Sequence, residues 1–318
     1  MRYRLFRWLF KYLGFILSVF ERFYLDRYSK NNINHPIIFI IGAPRSGSTI
    51  LYQLITSFFD VIYINNLMDA ARQNINVGYT LSKLFFRGKG HQSFQSSYGK
   101  TIGEGLNAPA EGRFWYKWLP KAYHHLTRTD IGENEKQQIK MRFNCLINRS
   151  QKPLIIKNLA FSVRLDLLNE LFPNAYFIFI TRDKTAQTLS ILNARKKNHI
   201  PENKFWSIRP ENYKDLEQES DEVMMIIKQI FYIEKEINND LQLFADDHII
   251  KIKYEDLLKD PRGILKIIEQ RLYLGTRNEF LCLPNLDIKE KKADSNLLKK
   301  INQYISSFNW ESYYEHRT

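Results

Sequence analysis

The chain has 318 residues, of which 44% are hydrophobic and 14% aromatic, enough to build the core of one large α/β domain or of two smaller ones. It has no internal repeat or low-complexity tract, which argues against a solenoid. Its only cysteines, Cys145 and Cys282, lack metal-like neighbours, which argues against a disulfide framework or a zinc site. The net charge of +13 indicates anionic partners, and because no helix-turn-helix, RNP-type or finger motif is present, anionic lipid and small anionic ligands fit better than nucleic acid.

The first element, residues 1–28, is apolar and aromatic with a narrow polar stripe at helical spacing. The stripe consists of Arg4, Arg7, Lys11, Gly14, Ser18 and Arg22. The longest uncharged run, Tyr12 to Phe20, is far shorter than the ~20 residues of a spanning helix, and no small-residue cleavage site is present. We expect residues 1–30 to form a basic amphipathic helix that lies on an anionic membrane with Trp8 inserted. A helix packed on the domain or on a dimer partner, and a spanning signal anchor, are the alternatives.

A strand, a turn of small residues and a helix follow the linker at residues 31–34. Residues 37–41 are an apolar, largely β-branched run, which predicts a buried parallel strand. The run breaks at Gly42, passes through Pro-Arg-Ser-Gly and resumes as an apolar-periodic helix over 48–59. In such a unit, free backbone N–H groups and the positive end of the helix dipole point into the turn. The segment therefore predicts a binding site for the phosphate of a nucleotide.

The turn departs from the Walker pattern G-x-x-x-x-G-K-[ST] at one position. Gly42 and Gly47 have the Walker spacing, but Ser48 stands where the lysine would be, and the nearby cation is Arg45. No side chain at this position reaches between β- and γ-phosphates, which argues against an ATP or GTP hydrolase. A nucleotide or small-molecule kinase with an atypical loop is the alternative enzyme.

The rest of the chain alternates strands and helices. After a short strand at 61–64, residues 65–130 lack a clear period, and we expect an irregular, substrate-facing insertion there. The further predicted elements are a helix at 132–149, a strand at 153–157, a helix at 162–172, a strand at 175–180, a helix at 185–197, a loop at 198–212, a helix at 213–245, a strand at 248–252 and a helix at 261–272. This order predicts an α/β fold, with a central parallel sheet flanked by helices and ligands at the carboxyl ends of the strands.

Two further segments place polar side chains just past predicted strands. The strand over 175–180 ends in Thr181-Arg182-Asp183, and Ser190 and Arg195 follow on a helix. Residues 249–261 read Ile-Ile-Lys-Ile-Lys-Tyr-Glu-Asp-Leu-Leu-Lys-Asp-Pro. With the Pro-Arg-Ser-Gly-Ser-Thr loop, these segments resemble, in order and spacing, the three signature segments of sulfotransferases that use 3′-phosphoadenosine 5′-phosphosulfate (PAPS).

The resemblance covers residues 36–60 and 153–272 and implies the P-loop-like sulfotransferase fold, as a single domain over 35–318. Arginine at position 45 is more like the carbohydrate and tyrosylprotein branches of the family. The cofactor-binding residues that the resemblance implies are Arg45, Ser46, Gly47, Ser48, Thr49, Arg182, Ser190, Arg195 and Tyr254.

The resemblance also implies roles for these residues. Arg45 and the loop N–H groups would hold the 5′-phosphate, and Arg182 with Ser190 would hold the 3′-phosphate. Arg195 either assists there or faces solvent, and Tyr254 either touches the adenine or packs beside the sheet. Lys157 corresponds to a second catalytic cation, the alternative being a surface lysine at a strand end.

The acceptor hydroxyl needs a general base, and here the resemblance is weaker. In relatives with a polysaccharide-type layout, a Pro-x-Glu element precedes a Phe-Trp pair. Here Pro109-Ala110-Glu111 precedes Phe114-Trp115 in the same way. We therefore expect Glu111 to be the base, with Glu104 second and the His124-His125 pair next. Asp69 is a weak substitute for a glutamate that follows the first helix in tyrosylprotein-type relatives. Glu255 and Asp256 are expected to cap the following helix.

Together these features predict an enzyme that transfers a sulfuryl group from PAPS to a hydroxyl of a carbohydrate, glycolipid or similar acceptor at a membrane surface, without a metal. Few cysteines and no cleavable signal favour the cytoplasm, with peripheral attachment to a bacterial inner membrane. The kinase described above and a non-catalytic, membrane-bound adaptor that retains the fold are the alternative functions. No sequence pattern identifies the acceptor or the oligomeric state.

Overall fold

The structure is a computed structural model that describes residues 8, 10, 12–92, 94, 96–97, 100–101, 105–110, 113–120, 124–277 and 294–310. Within these ranges a central five-stranded sheet has apolar cores on both faces. The strands, including a separate antiparallel hairpin of β3 and β4, are β1 (Ile37–Ile41), β2 (Ile62–Tyr63), β3 (Ser96–Ser97), β4 (Lys100–Thr101), β5 (Leu154–Lys157), β6 (Tyr176–Thr181) and β7 (Ile249–Lys253).

Helices cover the two faces of the sheet. In chain order the α-helices are α1 (Gly14–Tyr28), α2 (Ser48–Phe58), α3 (Asn66–Ala70), α4 (Ile75–Phe86), α5 (Glu133–Ser150), α6 (Leu165–Leu171), α7 (Lys184–Lys197), α8 (Tyr213–Leu216), α9 (Glu222–Asp240), α10 (Tyr254–Lys259), α11 (Pro261–Leu272) and α12 (Ser295–Ser306). Shorter 3-10 helices lie between them, one of which, Leu159–Val163, directly follows β5. The predicted α/β fold with a parallel sheet between helices is therefore confirmed.

The middle strand, β1, organises the sheet. The strand order is β2-β5-β1-β6-β7, and every pairing within this sheet is parallel. All residues of β1 are buried, and their side chains alternate between the two cores: Ile38 and Ile40 on one face, Ile37, Phe39 and Ile41 on the other. A strand buried on both faces needs an unbroken apolar run, which is the pattern that the sequence has.

The sheet order determines which loops are neighbours. Because the strands are parallel, the carboxyl ends of β5, β1, β6 and β7 lie side by side at one edge, in that order. Lys157 ends β5, the glycine-rich turn follows β1, Arg182 follows β6 and Tyr254 follows β7. Residues that are far apart in sequence are thus aligned along a single edge.

Most predicted elements are confirmed, with small shifts at their ends, but the insertion at 65–130 is more regular than expected. It contains α3, α4, the β3–β4 hairpin and short 3-10 helices. Helix α4 was not predicted because its stabilising contacts are tertiary. A Cβ on Gly78 would lie 2.8 Å from the Met68 Cα, so the glycine allows α4 to pack tightly on α3.

The predicted helix at 213–245 is two helices, α8 and α9, separated by a turn. Asp221 accepts hydrogen bonds from the N–H groups of Val223 and Met224 and so caps the start of α9. Helix α12 has no counterpart among the predicted elements. It packs on α7 and α9 through Ile301 and the apolar residues Leu297, Tyr304 and Ile305, which recur at three- and four-residue steps along one side of the helix.

Helix α1 packs on the domain through polar side chains. The Glu21 carboxylate, 2% exposed, accepts hydrogen bonds from the N–H groups of Asn76 and Val77 at 3.0 Å, at the start of α4. Ser18 Oγ donates to Asn74 Oδ1 at 3.3 Å. Of the polar stripe predicted from the sequence, Ser18 faces the domain and Arg22 is exposed, while Arg4, Arg7 and Lys11 lie outside the described residues. The helix packs on the domain, which was one of the alternatives.

The opposite side of α1 is apolar and exposed to solvent. Phe15 is 83% exposed, and the other large apolar side chains of this surface are Tyr12, Ile16, Val19, Phe20 and Phe23. We call these six residues the apolar face of α1. Over the described ranges, the helices include none with both the length and the apolarity to cross a bilayer.

Replacing Glu21 by alanine should loosen α1 from the domain. The change leaves buried N–H groups at the start of α4 without an acceptor, which costs about 1–3 kcal/mol of unfolding free energy. Chemical denaturation measures this loss, and limited trypsin digestion should cut faster at Arg22 and Arg27. Asp26→Ala, an exposed acid on the same helix, is the matched control and should change neither measurement. Equal behaviour of the two variants would contradict the capping role.

Candidate active site

The loop between β1 and α2 is compact and locally strained. Arg45 has a left-handed backbone, with φ of +65°, which non-glycine residues rarely adopt. Gly47 has φ of +98° and precedes Ser48, the first residue of α2. The first N–H groups of α2 therefore open toward the loop, together with the positive end of the helix dipole. We call this loop the anion cradle, because it has the geometry on which the sequence prediction rests, and anion binding there stays a prediction.

Two side chains from elsewhere hold the loop in place. Ser162 Oγ accepts from the Gly42 N–H and donates to the Gly42 carbonyl, both at 3.0 Å. Gln187 Nε2, on α7, donates to the Pro44 carbonyl at 2.8 Å. Both side chains are buried, so the loop is fixed from the β5 side and from the β6 side.

The loop is in direct contact with the residues that follow β6. Arg45 Nε donates to Ser190 Oγ at 2.9 Å, and Arg182 Nη1 donates to the Arg45 carbonyl at 3.2 Å. The loop and the Arg182–Ser190 segment therefore lie on the same side of the sheet edge, close enough for one bisphosphorylated ligand to reach both. Asp183 does not pair with Arg182; its carboxylate accepts from the Ala186 N–H and caps α7.

Tyr254 packs between the loop and Arg182. Its ring lies under the Arg182 guanidinium, with 4.6 Å from Cζ to the ring centroid. A Cβ on Gly47 would lie 2.2 Å from Tyr254 Cδ2, so only glycine fits there. The next residue, Glu255, accepts from the Asp183 N–H at 3.0 Å, and Asp260 rather than Glu255 or Asp256 caps α11, so the predicted helix cap was wrong.

Several buried polar atoms at this edge have no hydrogen-bond partner within the described part of the chain. They are Ser46 Oγ, Thr188 Oγ1 and Arg182 Nε. Buried polar groups are rarely left unpaired, because each one costs free energy. Ser46 belongs to the loop and Arg182 contacts it, so two of these unpaired groups lie at the anion cradle.

Lys157 lies on the other side of the loop. It is the last residue of β5, it is paired in register with Ile40 of β1, and it is only 4% exposed. The alternative, a surface lysine, is therefore wrong, and the catalytic role stays a prediction. A buried cation beside an anion cradle adds positive potential where a ligand's negative charge would lie.

Arg195 has other partners than predicted. Its side chain, 1% exposed, donates to Glu222 Oε1 at 2.6 Å, to the carbonyls of Pro201 and Glu202 at 2.9 Å each, and to the Lys204 carbonyl. With its guanidinium engaged by protein acceptors, Arg195 neither faces solvent nor has a nitrogen left for a phosphate. It fixes the loop after α7.

The structure describes only some of the candidate general bases. Glu111 and Glu104 lie outside the described residues. Burial, with the charges of Arg209 and Arg164, lowers the pKa of His124 to about 4, so this imidazole is neutral at pH 7 but weakly basic.

The other two candidates have protein partners. The hydrogen bond to Glu236 raises the pKa of His125, whose Nδ1 is 3.4 Å from that carboxylate. Asp69 is buried and accepts from the Phe114 N–H at 3.2 Å. Neither is an isolated base in the protein.

Sequence reasoning did not find Ser162, Gln187 or Thr188. Gln187 precedes Ser190 by three residues, so helical periodicity alone would have placed both on the face of α7 that contacts the loop. Ser162 has no such signal, since it reaches Gly42 from a separate 3-10 helix. Of the described residues, no group of three or more histidine, cysteine or acidic side chains could hold a metal ion.

A parallel sheet between helices, with a strand–loop–helix turn at its middle strand and an arginine at the neighbouring strand end, defines an α/β protein of the class that binds ligands at the carboxyl ends of its strands. The model of the Sulfotransferase family matches residues 36–277, which is most of the chain. The chain therefore belongs to the sulfotransferase family and is an enzyme of this class.

Curated relatives carry a sulfotransferase name. The omega-hydroxy-beta-dihydromenaquinone-9 sulfotransferases Stf3 of Mycobacterium bovis and Mycobacterium tuberculosis are each 23% identical over 287 residues, covering 82% of this chain and 68% of theirs. Solved structures that are similar include sulfotransferase STF9 from Mycobacterium avium (12% identity, 87% of this chain and 69% of that chain, TM-score 0.49). A sulfotransferase from Alicyclobacillus acidocaldarius is also similar (11% identity, 86% and 93%, TM-score 0.48).

Replacing Arg195 by glutamine should destabilise the protein without weakening nucleotide binding. The change removes the buried donor of the Glu222 carboxylate and of the carbonyls of Pro201, Glu202 and Lys204, and we expect a loss of about 1–3 kcal/mol of unfolding free energy. Chemical denaturation measures the loss, and Lys196→Gln, an exposed neighbour, is the control. A stable variant with weak binding of 3′-phosphoadenosine 5′-phosphate (PAP) would show that Arg195 contacts the ligand after all.

Proposed function

We propose that the protein transfers a sulfuryl group from PAPS to a hydroxyl group of an acceptor at a membrane surface. The observation that carries this proposal is the direct contact of two anion-binding segments, through Arg45 with Ser190 and Arg182 with the Arg45 carbonyl. PAPS has phosphate groups at both ends of one ribose, and a pair of adjoining anion sites fits that spacing. Ser46 Oγ and Arg182 Nε, buried without partners, fit such a ligand too.

The loop would hold the 5′ end of the nucleotide. The N–H groups of residues 47–49 and the hydroxyls of Ser48 and Thr49 lie at the start of α2, where a helix offers its N–H donors to an anion, whereas the Ser46 N–H donates to the Ala43 carbonyl at 3.3 Å and so closes the loop. Arg45 adds a guanidinium that is anchored on Ser190. Hydrogen bonds from charged donors to phosphate are stronger than neutral ones, so Arg45 contributes most to holding this end.

The segment after β6 would hold the 3′-phosphate. Arg182 has a planar fork of N–H donors, and both it and the Ser190 hydroxyl contact Arg45. The stacking of its guanidinium on Tyr254 fixes the direction of the fork, and the same ring would contact the adenine. A kinase has no need of a second anion site here, which favours PAPS over ATP.

The donor supplies an activated sulfuryl group, and the protein positions and stabilises charge. The acceptor oxygen forms a bond to sulfur while the bond from sulfur to the bridging phosphate oxygen breaks, and that oxygen keeps the electron pair. Lys157 and Arg45 stabilise the negative charge that grows on it. The acceptor proton goes to a general base, for which Glu111 is our first candidate, with Glu104 second.

The acceptor is proposed to be membrane-borne, a glycolipid or a similar carbohydrate-bearing or lipid alcohol. The apolar face of α1 exposes contiguous aromatic and aliphatic side chains, with the exposed cations Arg22 and Arg27 on the same helix. This combination is typical of a helix in the interface of an anionic bilayer. The mycobacterial relatives are named for an omega-hydroxy menaquinone derivative, which is compatible with such an acceptor.

Selective stabilisation by PAP tests the donor. At a hundredfold excess over its dissociation constant, PAP should raise the melting temperature by about 5 °C, whereas ATP, AMP and NAD should have little effect. Arg182→Gln should weaken PAP binding at least about tenfold, because it removes charged hydrogen bonds to phosphate.

The control for this experiment is Arg271→Gln. Arg271 contacts the Ile249 carbonyl at the amino end of β7, at the opposite edge of the sheet, and its replacement should leave PAP affinity unchanged. Magnesium-dependent stabilisation by ATP instead of PAP would support a kinase. Full sulfate transfer from labelled PAPS by Arg45→Ala or Lys157→Ala would contradict the roles proposed for these residues.

Charged residues on the apolar face of α1 should prevent membrane binding. Phe15 and Phe23 are two turns apart on this face, and replacing both by glutamate should lower partition onto anionic vesicles at least about tenfold. Vesicle flotation measures the partition.

A double variant with the same charge change elsewhere is the control. Ile267→Glu with Tyr273→Glu alters two exposed apolar side chains on and just after α11, and we expect flotation of this variant to match the wild type. Equal flotation of both double variants would rule out α1 as the membrane contact.

A further inference from the structure

Two neighbouring cavities beside β2, the outer strand of the sheet, are lined by several positively charged side chains. The larger, of about 900 Å³, is lined by Arg87, Lys89 and Arg277, and the smaller, of about 180 Å³, by Lys83, Lys89, Lys152 and Arg277. They share four lining residues, Phe86, Lys89, Asn107 and Arg277, so they form one depression. We call it the basic basin.

The charge of the basic basin is mostly uncompensated. Neither cavity has a described aspartate or glutamate in its lining. The nearby Asp60 pairs with Lys152 at 2.5 Å and with Arg277 at 3.3 Å, which neutralises one of the cations. For Arg87 and Lys89 no ion pair is found with any described residue, and both are exposed. Clustered cations without counter-charge favour an anionic ligand.

The walls of the basic basin are well fixed. Arg277 donates to the Thr56 carbonyl at 3.4 Å and to the Val61 carbonyl at 3.1 Å, and a Cβ on Gly90 would lie 2.7 Å from its Nη1. His91 is buried, with its Nε2 2.7 Å from Thr56 Oγ1. The larger cavity therefore has a rigid cationic wall, with the exposed Arg87 and Lys89 on its other side.

The basic basin is separate from the candidate active site. Ser57, which lines the larger cavity, is near the end of α2, while the anion cradle lies at the start of that helix. At 1.5 Å per residue the two are roughly 14 Å apart along α2. Lys152 precedes β5, at the amino end of the strand, whereas Lys157 ends it. An anion in the basic basin is thus not the sulfuryl donor.

The rim of the basic basin is apolar on the side of α1. Leu84 and Phe85, at the end of α4, are 70% and 56% exposed, and Phe85 also lines the larger cavity. Their neighbour Phe86 packs in one apolar cluster with Phe10 and Leu17 of the N-terminal segment. Anion-binding cavity, exposed apolar rim and membrane helix are therefore adjacent.

We infer that the basic basin binds the phosphate headgroup of an anionic membrane phospholipid, whose acyl chains lie against Leu84 and Phe85. The headgroup contacts would come from Arg87 and Lys89, with Arg277 behind them. A free phosphate ion would pair with the cations, but it would not cover the exposed side chains of Leu84 and Phe85. The inference rests on the membrane placement proposed above and not on the identity of the sulfuryl donor.

The test uses the full-length chain with Arg87→Gln and Lys89→Gln combined. Partition onto mixed vesicles of phosphatidylglycerol and phosphatidylcholine should fall at least about tenfold. Lys196→Gln with Lys197→Gln, which removes the same charge from the exposed end of α7, should change the partition less than about twofold, because it acts only through net charge. An equal fall in both double variants would show general attraction and overturn the inference.

A soluble probe separates the headgroup from free anion and from the bilayer. Dihexanoyl phosphatidylglycerol below its micelle concentration should raise the melting temperature of the wild type and not that of the Arg87→Gln, Lys89→Gln variant. Inorganic phosphate that stabilises the protein at the same concentration would show an ion site and overturn the lipid assignment. PAP binding is measured on every variant and should be unchanged, so that a failure of the donor proposal is recognised separately.

Discussion

The pairing of β6 beside β1 is the constraint on which the site depends. It places Arg182 against the loop, where its guanidinium binds the Arg45 carbonyl and stacks on the Tyr254 ring. Arg45 in turn reaches across to Ser190. Because β1 and β6 are paired in parallel and their interiors are buried, the sheet fixes the backbone from which each arginine extends. The anion-binding groups are thereby held in position before any ligand arrives.

This preorganisation is costly for the folded chain. A left-handed Arg45 costs roughly 1–3 kcal/mol, and so does each of Ser46 Oγ and Arg182 Nε, which are buried without a partner among the described residues. The surrounding structure offsets these costs through the core packing of β1. Two partly buried ion pairs secure α7, which carries Ser190: Lys184 with Glu234 near its start and Arg195 with Glu222 near its end. Strain concentrated at one sheet edge is typical of a functional site.

Helix α1 reverses the usual arrangement of a surface helix. Its buried side carries Glu21 and Ser18, hydrogen bonded to the start of α4, and its solvent side carries large apolar residues. Exposed apolar area is unfavourable in water, so a face of this kind indicates a partner. The basic basin lies next to this helix, and together they would orient the molecule on an anionic bilayer with the sheet edge held at a fixed angle.

The sequence by itself determined whatever depends on local pattern. The apolar run of β1, the small-residue turn, the Arg182–Ser190 segment and the strand before Tyr254 follow from propensity, periodicity and spacing, and these were enough to predict the parallel sheet and its binding edge. A buried strand needs apolar residues on both sides, and an anion cradle needs glycine and a helix start, so such features are visible in a few consecutive residues.

Only the tertiary structure decided the contacts between distant segments. Ser162 and Gln187 reach the loop from 120 and 143 residues away, and Arg195 finds its acceptors in a loop without a pattern of its own. Helix α4 depends on Gly78 packing against α3, and the polar side of α1 turns inward because Glu21 meets free N–H groups there. Hydrogen-bond partners of buried polar groups are chosen by geometry in three dimensions, which no local pattern encodes.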